Sequence, residues 1–351
     1  MRIMVVGNWQ YEIYETAFVY GLKKIGIKID TCKLNHFFQG KIKNYYSALP
    51  PFSPNRWKLN NYVLSSALKK KPDWIFFWRP THIFPKTIKY LRNSGIKTIS
   101  YVNDDPFSIG IKKKKGRTPW HHKFLWYYYF KCLSYFDKNF FYRKINCKEA
   151  LAKGAKHADI FLPYFIPKKD KPVILNPLEK KYFQTDVVFV GHYENDGREK
   201  FIHSLLKAGI KLKIWGGSYW NKKVLGKYYD YLSPIIEVRG KDYAKALCGA
   251  KICLVFLSKL NRDTFTRRCF EIPACGRVML AERTNDLKKM FKENEEACFF
   301  SSKKELLEKI NWLLKNPKIR RRIAKAGLKR VWLDGHYVEN RSKEIIKKLL
   351  L

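Results

Sequence analysis

Short β-branched or aromatic runs take turns with amphipathic stretches of helical period from one end of the chain to the other, and that alternation leaves few folds open. It is the pattern of stacked βαβ units and parallel sheets. One compact core rarely serves 351 residues, so two α/β domains are expected.

In the first half, residues 3–6, 27–31, 74–78, 98–102 and 140–142 read as strands with helices between them. Gly26 and Gly95 each stand where a helix closes before a strand, as a left-handed cap requires. Residues 163–186 lose the periodicity: Pro167, Lys168, Lys169, Asp170, Lys171 and Pro172, then Pro177, form a proline and charge cluster that marks a linker. A second series begins with a strand at 187–190, a helix near 199–207 and a strand at 211–215. Strands at 236–239, 252–256 and 278–281 follow, and helices at 303–315, 317–332 and 338–351 close the chain. Two Rossmann-like domains are therefore expected at 1–170 and 186–335, with a linker at 171–185 and a terminal helix at 336–351.

Charge narrows the partners. There are 71 Lys and Arg against 30 Asp and Glu, a net charge of +41, and such a field attracts phosphates, anionic lipid head groups or nucleic acid. Lysines that merely coat solvated faces would give the same total. Only residues 112–115 and 320–322 form basic runs, so no nucleic-acid-binding arm is visible. The eight cysteines contain no CxxC pair and the eight histidines never join them at zinc spacing. They read as apolar fillers in a reducing compartment. No run of 18 apolar residues and no cleavable leader is evident, so a cytoplasmic protein, at most peripheral on a membrane, is expected.

Ligands of open α/β sheets bind beyond the carboxyl ends of the strands. After the first strand of the second series come Gly191 and, past a polar loop, Gly197 and Arg198 at a helix start. Glycine lets backbone approach a ligand, and a helix start with an arginine suits phosphate; a plain tight turn and a solvated arginine are the alternatives. The most informative stretch is 258–280, where a polar loop with Asn261, Asp263, Thr264 and Thr266 feeds a helix opening on Arg267 and Arg268, with Glu271 one turn on. Arginine forks neutralise a diphosphate, and a glutamate accepts both ribose hydroxyls. Asp263 precedes Glu271 by eight positions and can face a transferred sugar. The competing reading of Glu271 is a helix carboxylate paired with Arg267 or Arg268.

This stretch, with Phe189-Val190-Gly191, Trp215-Gly216-Gly217 and Glu282-Arg283-Thr284, resembles the donor-binding half of the CgeB-like, spore-coat-maturation type glycosyltransferases. The resemblance runs over about residues 186–341 and is thin before 165. It implies a GT-B fold of two Rossmann-like domains with parallel sheets facing across a cleft, a nucleoside-diphosphate-sugar donor with a UDP-sugar favoured, and neither a cofactor nor an obligatory metal. It also implies that the closing helix returns to the first domain. The segment is similar, too, to the glutamate-x7-glutamate pattern of retaining GT-B enzymes, where Glu271 would hold ribose and Asp263 replaces the first glutamate. By the same resemblance Arg239 would lie against the nucleobase.

The acceptor half is less legible. Asp104 and Asp105, in Asn103-Asp104-Asp105-Pro106 after a strand, are candidate bases for an acceptor hydroxyl, although Asn, Asp and Pro also favour a simple capped turn. Gly7-Asn8 follows the first strand, and His36, His82, His121 and His122 are further candidate bases. From 120 to 144 aromatic residues interleave with Lys and Arg, which suits a membrane interface, a sugar acceptor or a core helix with snorkelling lysines. The expected activity is transfer of a sugar to a glycan, glycolipid or protein hydroxyl. A nucleotide-sugar epimerase of the same fold, or a protein binding anionic membrane or nucleic acid, are the alternatives.

Overall fold

The computed structural model of the chain describes residues 1–38, 53–108 and 119–350. The basic run 112–115 lies outside them, as do the side chains of Trp120, His121 and His122. The chain forms two compact units, Met1–Leu162 with Val338–Leu351, and Pro163–Tyr337.

The first unit is a six-stranded sheet of β1 (Arg2–Gly7), β2 (Lys28–Lys33), β3 (Trp74–Trp78), β4 (Lys97–Val102), β5 (Lys138–Phe141) and β6 (Ala158–Ile160). Its order is β2-β1-β3-β4-β5-β6, and every pairing is parallel. All five residues of β3 are buried, because helices cover both faces of a parallel sheet and leave no solvated side. Trp126, Tyr129, Leu133 and Phe136 of the aromatic and basic stretch are core residues here, and Phe140 and Phe141 are also buried. Those rings therefore serve the core of this unit. Of the candidate histidines, His36 is exposed beside Phe37 and Tyr62, and His82 is buried against Phe38.

The helix Val338–Leu350 packs on the helix Ala17–Lys24, which it meets at Gly21. Lys348 pairs with Asp159 at 2.7 Å and donates to the Ile160 carbonyl, and Lys138 donates to the Lys348 carbonyl.

The second unit holds β7 (Thr185–Val190), β8 (Leu212–Trp215), β9 (Ala250–Val255), β10 (Val278–Glu282) and β11 (Cys298–Phe300), in the order β11-β10-β9-β7-β8, again all parallel. From β7 the chain moves to one edge through β8, then returns to the other side of β7 with β9. The order thus reverses between β7 and β9, the switch point at which such sheets usually place a ligand. Both sheets and their parallel strands agree with the α/β class read from the sequence.

Two local expectations are corrected. Residues 236–239 form no strand: Ile236 is 44% exposed and Glu237 pairs with Arg239 at 2.6 Å in solvent, so only Val238 has a buried face to offer. Within the proline cluster, Pro177–Phe183 is a helix, started by a capping box in which Asn176 and Glu179 satisfy each other's backbone N–H groups.

Candidate active site

Gly191 ends β7 with its N–H donated to the Trp215 carbonyl and its own carbonyl accepting the Trp220 indole N–H at 2.8 Å. A Cβ on Gly216, the residue after β8, would stand 2.1 Å from that carbonyl. The loops after β7 and β8 therefore meet backbone to backbone, which only glycine permits.

The loop that follows folds around Arg198. This guanidinium is buried, bonded to Asp196 at 2.9 and 2.6 Å, donated to the His192 carbonyl at 3.0 Å, and stacked 5.9 Å above the Phe189 ring. Glu194 accepts the Ser258 hydroxyl at 2.6 Å and lies 3.2 Å from His192 Nε2. Burial works against its charge, but the His192 hydrogen bond, the Arg198 charge and the Ser258 hydroxyl outweigh that and hold it at about 2. Lys259 Nζ donates to the Asp196 carbonyl, so the loops after β7 and β9 are tied together.

Beyond β9, Asn261 N–H donates to the Ser258 hydroxyl and Asp263 N–H to the Ser258 carbonyl at 2.9 Å. Thr264 donates its hydroxyl to Asp286 and accepts the Thr284 hydroxyl at its carbonyl, each at 2.6 Å. The Thr266 carbonyl accepts the Cys269 N–H, starting the turn into the helix Arg268–Ala274. These contacts, within the loop and to Thr284 and Asp286, fix its course.

Arg268 is different from Arg198. Its Nη1 lies 3.4 Å from where a Gly191 Cβ would stand, and its guanidinium sits 5.9 Å from the Phe189 ring. Its Nε is buried without a hydrogen-bond partner, and no carboxylate pairs with it among the described residues. A cation held at the end of β7, next to bare backbone and with its donors unspent, is what an anionic ligand needs.

Glu271, one turn on, is buried at 5% exposure. Tyr243 donates its hydroxyl to Oε2 at 2.6 Å, and Arg267 Nε donates to Oε1. The pairing with Arg267 that the sequence left open as an alternative is thus present. Together with the Tyr243 bond it uses one lone pair on each oxygen, and a carboxylate has about four such sites, so the group can still accept two hydroxyls. Burial, followed by the Glu271 charge, drives the Tyr243 phenol well above its ordinary range, so it stays a donor.

Arg239 is exposed and paired with Glu237 at 2.6 Å. In the first unit Asp104 pairs with Arg79 at 2.7 Å. Asp105 is buried, accepting Phe107 N–H at 3.0 Å and Asn146 Nδ2 at 2.8 Å, which is the capped turn that Asn, Asp and Pro favour. Sequence reasoning missed Glu15, a buried carboxylate whose Oε1 accepts the Trp9 N–H at 3.2 Å and would collide with any side chain at Gly7. Burial raises its pKa. It also missed Tyr243 and Asp170, whose only signal is proximity across the fold.

Residues 198–347 match the family model described as "Glycosyl transferase-like". Sucrose-phosphate synthase from Thermosynechococcus elongatus is similar over 99% of this chain and 98% of its own, at 12% identity and a TM-score of 0.70. The fold is GT-B. HepE of Anabaena, solved with UDP and glucose, shares it over 99% of both chains at 12% identity and a TM-score of 0.64. A putative UDP-N-acetylglucosamine 2-epimerase from Listeria monocytogenes does so over 98% of this chain and 94% of its own, at 13% identity and 0.58. No curated protein sequence matches the chain. Residues 198–347 thus carry a glycosyl transferase-like match within a chain of GT-B fold. Among the described residues no helix is long and apolar enough to cross a membrane.

Proposed function

We propose that the chain moves a sugar from a nucleoside-diphosphate donor, with a UDP-sugar favoured, to a hydroxyl of a glycan, a lipid-linked saccharide or a protein. The observation that carries this reading is Arg268, a cation with unspent donors against the backbone of Gly191 at the switch point of the second sheet. In this scheme Arg268 takes the diphosphate, Glu271 the ribose hydroxyls and Asp263 the transferred sugar. Gly191 gives the diphosphate access to the backbone, while Asn261, Thr264 and Thr266 shape the loop. Arg198 acts by holding that surface in place, and Arg239 is assigned to the base. The chemistry is positioning plus electrostatic support of the departing diphosphate, with no metal required. Asp104 or Asp105 is assigned to the acceptor side, and of the two Asp104 is the more open to a substrate.

The complexes of HepE with UDP and with UDP-glucose support a uridine donor, and the matches between residues 261–284 and the CgeB-like pattern support that subfamily. A thermal-shift screen against UDP-, GDP-, ADP- and TDP-sugars tests the donor: a ligand at a hundred times its Kd adds about 2.7 kcal/mol of stability. Conversion of the donor in the absence of any acceptor would instead make the chain an epimerase. Peripheral contact with anionic membrane is proposed from the +41 charge alone. Liposome flotation at low salt, comparing anionic with neutral vesicles, checks it.

A further inference from the structure

The segment that opens the second unit carries a carboxylate to the far side of Arg267. Asp170 and Lys169 donate their N–H groups back to the Ile166 carbonyl at 2.7 and 2.9 Å, and Ile166 N–H donates to Asp170 Oδ2 at 2.7 Å, a closed turn that aims the side chain inward. Val173 N–H, three residues on, is bonded to the Cys248 sulfur at 3.3 Å. Tyr164 of the same segment lies with its ring 5.0 Å from the Arg267 guanidinium.

The Asp170 side chain is 0% exposed, with Oδ2 standing 3.9 Å from Arg267 Nη2. Its other oxygen, Oδ1, is buried without a hydrogen-bond partner. A buried acceptor left unpaired is costly, and the other oxygen of this carboxylate lies beside an arginine already bonded to Glu271. One guanidinium is thus shared by two buried carboxylates, one from the opening segment and one from the proposed ribose site.

We propose that Asp170 is a positioning residue for the nucleoside-diphosphate donor, setting through Arg267 how firmly Glu271 is held. The inference rests on the assignment of Glu271 to the donor. When Asp170 is neutral, it makes no ionic claim on Arg267, and the Glu271 carboxylate is fixed by Arg267 and Tyr243 together. When Asp170 ionises, it draws on the same guanidinium and adds a negative charge near an anionic ligand. Both effects weaken the grip on the donor.

The groups that face Asp170 are Glu271 and Arg267 at the start of the helix Arg268–Ala274, Tyr243 from the helix Lys241–Cys248, Cys275, and Lys169 of its own turn. Burial first, and then the Glu271 charge, push the Asp170 carboxyl up to about 7, with Arg267 and Lys169 acting in the opposite sense. Loss of the proton therefore falls in the neutral range.

The experiment is UDP binding by calorimetry at pH 6 and pH 8.5, on the full chain and on Asp170→Asn. Titration of the UDP phosphate near pH 6 is common to both proteins and cancels in the comparison. The wild type is expected to weaken with rising pH by about fivefold more than the variant does. Asp170→Ser, smaller and equally unable to ionise, gives the same comparison if asparagine is not accommodated. Parallel pH profiles in wild type and variants overturn the inference while leaving the donor reading intact. A wild type that binds no nucleoside diphosphate at either pH overturns the donor reading and this one with it.

Discussion

Arg268 Nη1 lies 3.4 Å from the point at which a side chain on Gly191 would begin, so the guanidinium stands within van der Waals reach of the backbone just after β7. The two residues are 77 apart in sequence, yet the fold sets the charge of Arg268 beside the bare backbone of Gly191.

Arg268→Ala is expected to weaken UDP binding by about 1.5–3 kcal/mol, the range for hydrogen bonds to a charged group. The melting temperature should hardly move, because Arg268 Nε has no partner to lose. Calorimetry with UDP and a melting curve check both halves. Retention of wild-type affinity would remove Arg268 from the donor site.

Gly191→Ala probes the same pair from the other side. Its Cβ would come 3.0 Å from the Phe189 ring, closer than an ordinary contact, and would just touch Arg268 at 3.4 Å, so the ring against which Arg268 rests must give. A loss of about tenfold in UDP affinity, ~1.4 kcal/mol, is expected in isothermal calorimetry. Unchanged affinity would mean that the guanidinium position does not matter.

Glu271 carries both a fold and a site. Glu271→Ala leaves the buried Arg267 without its nearest carboxylate, and breaking a buried pair in this way costs about 3–5 kcal/mol. Glu271→Gln keeps an acceptor for Tyr243 or ribose and should lose less of both stability and UDP affinity. Chemical denaturation of the two variants separates these contributions; equal loss in Ala and Gln would assign the whole effect to charge.

Acid stability should depend on Glu194. Its folded pKa of about 2 lies below its ordinary value of 4.5, so the stability it contributes is fully present above pH 4.5 and is lost as the pH falls towards 2. The contribution at neutral pH is about 3 kcal/mol. Glu194→Gln should flatten the melting temperature against pH between 4.5 and 2, and a variant with the same acid limb as wild type would show that Arg198 and His192 do not hold that carboxylate.

Much of this was legible because its signals are local. Strands β1, β3, β4, β7 and β9 are runs of buried residues that periodicity finds within a residue or two. Arg268 and Glu271 share one turn, so a polar loop followed by a short amphipathic pattern placed them together. Three-residue strands such as β6 and β11 carry no period to detect. Residues 236–239 misled because alternation predicts a strand only where a neighbour covers one face. Asp170 and Tyr243 stand 101 and 28 residues from Glu271, and nothing in a linear pattern predicts which buried acid or phenol a fold will bring to an arginine. For the same reason the sequence left Asp105 open between a base and a capped turn: its partner Asn146 is 41 residues away.

The last test concerns the seat of the closing helix. Gly21 lies inside the helix Ala17–Lys24, where exchange for alanine would ordinarily stabilise by about 0.5–1 kcal/mol. Here a Cβ would meet the Ser342 hydroxyl at 2.5 Å and Val338, both side chain and carbonyl, at 2.9 Å. The backbone carbonyl cannot rotate away, so the helix Val338–Leu350 must move, and overpacking of this kind costs about 1–3 kcal/mol. Gly21→Ala should therefore lower the melting temperature, reversing the sign of helix propensity. Ser342→Gly removes the nearest obstacle, and the double variant should recover part of the loss, a coupling that a cycle of the four proteins measures directly. If Gly21→Ala stabilises, or if the two changes simply add, the close approach of these helices is not what seats the terminal helix on the first sheet's unit.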